Sequence, residues 1–84
     1  MKVEIEDNLY LESDGMQFII KEYTGKKDNL GRDLYKVHGY FSGVDHAVKY
    51  LIKMKVMQST AQTLSELVQD ISRIGEYIES KLSA

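Results

Sequence analysis

The chain contains no cysteine, so a disulfide framework and a thiolate metal site are both closed to it. That absence leaves the compartment open and fits a reducing cytosol. No apolar run approaches the roughly 18 residues of a membrane span. The opening MKVEIEDN is acidic and lacks the apolar stretch of a secretory signal. The expectation is therefore a cytoplasmic protein with no membrane association. Also missing are GxGxxG, a phosphate loop and GxSxG, so the marks of dinucleotide, phosphate-loop and esterase chemistry are not there.

What is present reads as an ordinary folded domain. The 84 residues are 43% hydrophobic and 29% charged, which argues against wholesale disorder. We expect one domain over residues 1–84, in the range where a single core just suffices. The net charge of −2 conceals a segregation. Residues 1–20 set Lys2 against Glu4, Glu6, Asp7, Glu12 and Asp14; residues 21–57 are net basic; residues 58–84 are net acidic again. A basic middle between acidic ends suits either a bipolar surface that steers a partner or simply solvated edges and faces.

The organising stretch is Leu34–Leu51, LYKVHGYFSGVDHAVKYL, where strand alternation passes through Gly39 and Ser42-Gly43 into a helix. Upstream, Leu9 and Leu11 alternate with Tyr10 and Glu12, and Lys2–Glu6 reads as an earlier strand or a frayed start. Ser13-Asp14-Gly15 is a turn. Met16–Tyr23 resumes the strand pattern, with Met16, Phe18 and Ile20 on one face. Thr24–Asp33 reads as a polar loop closing a hairpin onto Leu34–Phe41. There Tyr35, Val37 and Phe41 share a face with Gly39, and Lys36, His38 and Tyr40 share the other.

Ser42 reads as a helix N-cap with Asp45 in the first turn, followed by Val44, Ala47, Val48, Leu51 and Ile52 at helical spacing. Thr63-Leu64-Ser65-Glu66 is a capping box, the clearest local signal in the chain. Behind it Leu64, Leu67, Ile71, Ile74 and Ile78 form a 3-4 seam that either packs within the domain or serves as a homodimer interface. The expected fold is α+β: a three-stranded antiparallel meander followed by two helices, the first packed on the sheet.

Catalytic candidates are few. Ser42, Asp45 and His46 are the residue types of a nucleophilic triad, but neighbouring positions on a helix diverge by about 100°, so Asp45 is badly placed to orient His46. Capping accounts for Ser42 and Asp45. His38 and His46 belong to different elements with no carboxylate at ligand spacing, and DNLGRD lacks the later ligands of a calcium loop. We expect no enzyme, no metal and no cofactor. The sheet face opposite the helix should present Tyr10, Glu12, Gln17, Ile19, Lys21, Tyr23, Lys36, His38 and Tyr40. Aromatic rings among cations suit stacking on bases or gripping a protein. Lys26, Lys27 and Arg32 at the hairpin tip could lie against phosphates.

Two resemblances follow from these residues. The strand, polar hairpin, YKVHGYF strand and capped helix resemble the three-stranded-sheet-plus-helix DNA-binding modules of tyrosine recombinases and plant AP2 factors. That resemblance implies major-groove reading by the sheet. NLYLESDGMQFIIKEYTG with HGYFSG and the helix after it resembles small uncharacterised phage and prophage proteins of Firmicutes, over nearly the whole chain. It implies a phage accessory protein acting in the host cell and carries over no site residue. Proteins of that kind often bind and block a bacterial protein, anti-CRISPRs among them. The leading expectation is thus a host-protein binder using Tyr10, Lys21, Tyr23, Lys26, Lys27, Arg32, Lys36, His38 and Tyr40, or acidic patches at Glu66, Asp70, Glu76 and Glu79 that imitate phosphates. The alternative is a small nucleic-acid-binding regulator using Lys21, Lys26, Lys27, Arg32 and Lys36.

Overall fold

The computed structural model describes residues 1–83. The fold is α+β: β1 (Lys2–Glu6), β2 (Leu9–Ser13), β3 (Phe18–Lys27), β4 (Asp33–Phe41), α1 (Val44–Met57) and α2 (Leu64–Ser83). The chain forms two compact units, Met1–Ala47 and Val48–Ala84, with α1 running from the first into the second. No helix of the described residues is long and apolar enough to cross a membrane.

The first unit holds one antiparallel sheet in the order β1-β2-β3-β4. It has four strands where the sequence led us to expect three. Lys2–Glu6 is a full strand, with Val3 opposite Leu11 and Glu4 opposite Tyr10. The alternation of KVEIE supports it, and a two-residue turn at Asp7-Asn8 closes the hairpin with Asp7 at a φ of 48°. Asp tolerates this left-handed conformation better than most non-glycine residues.

The next turn also departs from expectation. Asp14 accepts backbone hydrogen bonds from Met16 and Gln17, each at 2.9 Å, so β3 begins at Phe18 and Met16 stands 91% exposed in the turn rather than on a strand. Those same donors hold the Asp14 carboxyl below the usual range. The third hairpin is tighter than the polarity of Thr24–Asp33 suggests. Its strands continue to Lys27 and from Asp33, leaving a loop of Asp28–Arg32. Asp28 organises that loop by accepting from the Leu30 and Arg32 N–H groups at 2.9 Å and from Arg32 Nε at 2.8 Å.

Pairing assigns the faces. Leu11 lies opposite both Val3 and Ile20, and Ile20 opposite Gly39. Ile5, Leu11 and Ile20 have no accessible surface. Each contributes about 1.5–3 kcal/mol by burial. The ring of Phe41 lies over Gly39, where a Cβ would come within 2.7 Å of Phe41 Cζ. Any side chain at that point of β4 would displace the ring, which favours glycine there.

Helix α1 starts one residue later than its sequence implies. Gly43, not Ser42, supplies the carbonyl that accepts the Ala47 N–H at 3.3 Å and so holds the N-cap position. In the second unit, Leu51 on α1 and Ile78 on α2 have no accessible surface. Thr63 caps α2 as expected, its Oγ1 accepting the Glu66 N–H at 3.1 Å, while Glu66 reaches back to the Gln62 N–H at 3.1 Å. Ser59, in the connection, donates to Asp70 on α2 and accepts from the Ala61 N–H. The Ser59 hydroxyl, with Arg73 adding to it, holds the Asp70 carboxyl below its ordinary range.

Gly75 sits inside α2, where an added Cβ would meet nothing within 4 Å. Replacing it by Ala removes backbone entropy without a clash and is expected to stabilise the protein by about 1 kcal/mol. Urea unfolding of Gly75→Ala checks this, and a lower midpoint would refute it.

Candidate functional site

The functional candidates gather on the sheet face opposite Leu11 and Ile20. Cross-strand pairing places Glu4 beside Tyr10, Tyr10 beside Lys21, Glu12 beside Ile19, Ile19 beside Tyr40 and Tyr23 beside Tyr35. Tyr10 and Tyr23 meet edge to face, with centroids 5.3 Å apart and planes at 88°. Tyr23 and Tyr35 continue the row at 5.7 Å. Edge-to-face contact brings the positive rim of one ring to the negative face of the next, a stable arrangement for neighbouring aromatics.

Carboxylates and ammonium groups are threaded through these rings. Lys2 Nζ lies 5.0 Å from the Tyr10 centroid and 4.6 Å from that of Tyr23. Lys21 Nζ lies 4.2 Å from the Tyr35 centroid and 3.4 Å from Glu12 Oε1. Glu12 also accepts a hydrogen bond from the Tyr23 hydroxyl, and Glu4 accepts one from Tyr10 at 3.4 Å. Lys21 and Glu12 are largely covered, at 17% and 15% side-chain exposure, whereas Tyr35 and Tyr40 stand 47% and 59% exposed. The face therefore has an ordered polar–aromatic middle and accessible tyrosines on β4.

Beside the Tyr10–Tyr23 pair is an open pocket of about 230 Å³, lined by Lys2, Asn8, Tyr10, Tyr23, Gly25 and Asp33. Gly25, at a φ of +80°, lies in the irregular stretch of the β3–β4 pairing. There the Thr24 hydroxyl donates to the Leu34 carbonyl at 3.2 Å.

The structure brings six of the nine residues expected on this face, Tyr10, Glu12, Ile19, Lys21, Tyr23 and Tyr40, to it, while Gln17 falls in the turn before β3. It does not bring Lys36 or His38 there. A β-bulge in β4 sets Ile20 against Gly39 but Lys21 against Val37, leaving His38 as the extra residue. Beyond the bulge the alternation of β4 is reversed. Lys36 pairs with Glu22 on the Leu11 face, and His38 Nε2 meets Glu22 Oε1 at 2.8 Å. Tyr35 and Val37 correspondingly turn to the tyrosine face. Lys2 and Tyr35 are the members that sequence reasoning missed. Lys2 was legible in the KVEIE alternation, whereas Tyr35 depends on the bulge.

Lys26, Lys27 and Arg32 sit on the β3–β4 hairpin as expected, but two of them are engaged. Lys27 pairs with Asp33 at 2.9 Å and Arg32 with Asp28 at 2.8 Å. Exposed pairs of this kind add little stability, yet they cancel local charge. In the acidic set, Asp70 pairs with Arg73 and binds Ser59, and Glu66 is used in the cap. His46 Nε2 lies 3.9 Å from Asp45 Oδ2, with both side chains more than 60% exposed. No group of three metal-ligating side chains occurs among the described residues.

Along α2, Leu64, Val68 and Ile71 are exposed at 77%, 57% and 43%. Leu67 and Ile74 are half-buried, and Ile78 has no accessible surface. The residues of the expected homodimer seam thus differ widely in availability.

The Tyr23–Glu12 contact has a pH signature. The hydrogen bond to Glu12, followed by burial and the Glu12 charge, pushes the Tyr23 phenol up from 10.0 to about 12. The folded chain holds that proton more tightly than the unfolded chain. This stabilisation is complete below pH 10 and is lost as pH rises towards about 12. In a phenolate absorbance titration, the most alkaline of the six tyrosines is expected to disappear in Tyr23→Phe and to move back towards 10 in Glu12→Gln. An unchanged last step in Glu12→Gln would refute the pairing.

Comparison of the chain with protein-family models, with curated proteins and with solved structures finds no match.

Proposed function

We propose that this protein is a non-enzymatic binding module that takes hold of a protein partner through the tyrosine face of its sheet. The observation that carries this reading is the row Tyr10, Tyr23 and Tyr35 with Tyr40 on the same face, rigidified by Glu12 and Lys21 and accessible on β4. Tyrosine supplies large contact area with a polar tip and few rotatable bonds, which is why it is enriched where interface energy concentrates. Held rings lose little further entropy on binding. With the resemblance to phage and prophage proteins, the partner is a bacterial host protein met in the cytoplasm. The outcome is inhibition, an anti-CRISPR-like block of a defence nuclease being one form.

The alternative, direct nucleic-acid binding, asks for a track of uncommitted cations. Three of its five basic residues, Lys21, Lys27 and Arg32, are instead paired with Glu12, Asp33 and Asp28. A phosphate would have to compete with a carboxylate already in place at each. This favours a protein partner.

The test is capture from host lysate by wild-type and variant protein. Tyr35→Ala with Tyr40→Ala is expected to weaken the complex by about 2 kcal/mol or more, as loss of interface anchors does. Lys26→Gln with Lys36→Gln should leave it within about threefold. Duplex DNA should not shift with the protein even at low salt. A complex indifferent to the tyrosines, or a DNA shift that fades steeply with salt, would overturn the reading.

A further inference from the structure

A cation already lies over both perpendicular rings, Tyr10 and Tyr23. Lys2 Nζ sits 5.0 and 4.6 Å from their centroids, inside the ~6 Å reach of a cation–π contact. Lys2 makes no ion pair among the described residues; the rings are its partners, in contrast to Lys21, which also has Glu12. Both tyrosine hydroxyls donate to carboxylates, Tyr10 to Glu4 and Tyr23 to Glu12. That bonding pushes electron density back into the rings and strengthens their faces as cation acceptors. The adjoining pocket, with Asn8 and Asp33 on its wall, measures about 230 Å³ and is open to solvent. It falls below the roughly 300 Å³ at which drug-sized ligands are held, a size suited to one side chain or a small head group.

We propose that Tyr10 and Tyr23 form a cage for an organic cation, with the Lys2 ammonium as an internal occupant that the incoming cation displaces. The ligand chemistry is an alkylated ammonium, carried either by a small free molecule or by a lysine side chain of the partner. Quaternary ammonium suits such a cage because it gives up little hydration on entry and covers both ring faces with methyl groups. Asp33 supplies negative charge at the pocket wall, although it is shared with Lys27 at 2.9 Å. The proposal rests on the tyrosine face being a recognition surface. It names the chemistry that one corner of that face accepts.

The experiment is a proton NMR titration of the full chain with tetramethylammonium chloride, against tert-butanol as neutral isostere at matched ionic strength. Tyr10 and Tyr23 ring resonances are expected to move with the cation and not with the alcohol. Lys2→Gln, which vacates the cage, should tighten binding about two- to fivefold, the worth of one exposed cation–π contact. Tyr23→Phe should retain binding while Tyr23→Leu loses it, with circular dichroism showing that both fold. Tyr10→Leu provides a second ring deletion if Tyr23→Leu does not fold. Tighter binding of choline than of a blocked trimethyl-lysine amide would mark a free molecule as the source; the reverse order would mark a partner side chain. Equal shifts with tert-butanol, or unchanged affinity in Lys2→Gln, overturn the proposal. Because no partner protein takes part, failure here leaves capture through Tyr35 and Tyr40 standing. Loss of that capture effect with the titration intact would fail the surface reading alone.

Discussion

Leu11→Ala is expected to destabilise the protein by about 2–5 kcal/mol, as truncation of a fully buried sheet residue does. Leu11 has no accessible surface and lies opposite Val3 on one side and Ile20 on the other. Truncation removes the burial of the side chain and leaves a space that three paired strands cannot close by moving one of them. A domain of this size has a total stability of roughly 5–15 kcal/mol, so the loss consumes a large share of it. Denaturant unfolding followed by circular dichroism measures the effect. A loss under about 1 kcal/mol would mean that Leu11 is not at the centre of the first unit. Leu30→Ala is the matched control: Leu30 is 77% exposed in the β3–β4 loop, and its loss should cost within about 0.5 kcal/mol.

Gly39→Val is the second large prediction, with an expected cost of about 1–3 kcal/mol. Valine is ordinarily the better strand residue, so propensity alone gives the opposite sign. The close approach decides the matter. A Cβ at this position would lie 2.7 Å from Phe41 Cζ and 2.9 Å from Cε2, so the ring must leave its place over the glycine. Combining Gly39→Val with Phe41→Ala removes the clash. The pair is expected to be less destabilising than the sum of its parts, a coupling that a double-mutant cycle reads directly. Strict additivity would show that the ring does not pack over Gly39.

The same glycine neighbourhood explains why the candidate surface is only partly visible in the sequence. Gly39 and the adjacent bulge at His38 interrupt the alternation of β4, and a single extra residue exchanges the faces of everything before it in the strand. Unbroken alternation puts Lys36 and His38 on the wrong face and passes over Tyr35. Tyr10, Lys21 and Tyr23 lie on β2 and β3, whose mutual pairing is unbroken from Leu9–Glu22 to Ser13–Phe18, and their shared face follows from alternation alone. Met16 shows a different failure. Its apolar character fits the strand that follows, but Asp14 captures its N–H and holds it in the turn.

By itself the sequence determined the α+β class, the order of the elements from β2 onward, the capped start of α2 and the side of β2 and β3 that carries tyrosine. These depend on local chemistry: side-chain period, turn formers and a hydroxyl three residues ahead of a free N–H. Only the tertiary structure decided that Lys2–Glu6 is a paired strand, that Tyr35 joins Tyr10 and Tyr23, and that Lys2 stands between two rings. Those facts depend on register and on contacts between residues distant in the chain, which hydrogen bonding across strands settles and composition does not.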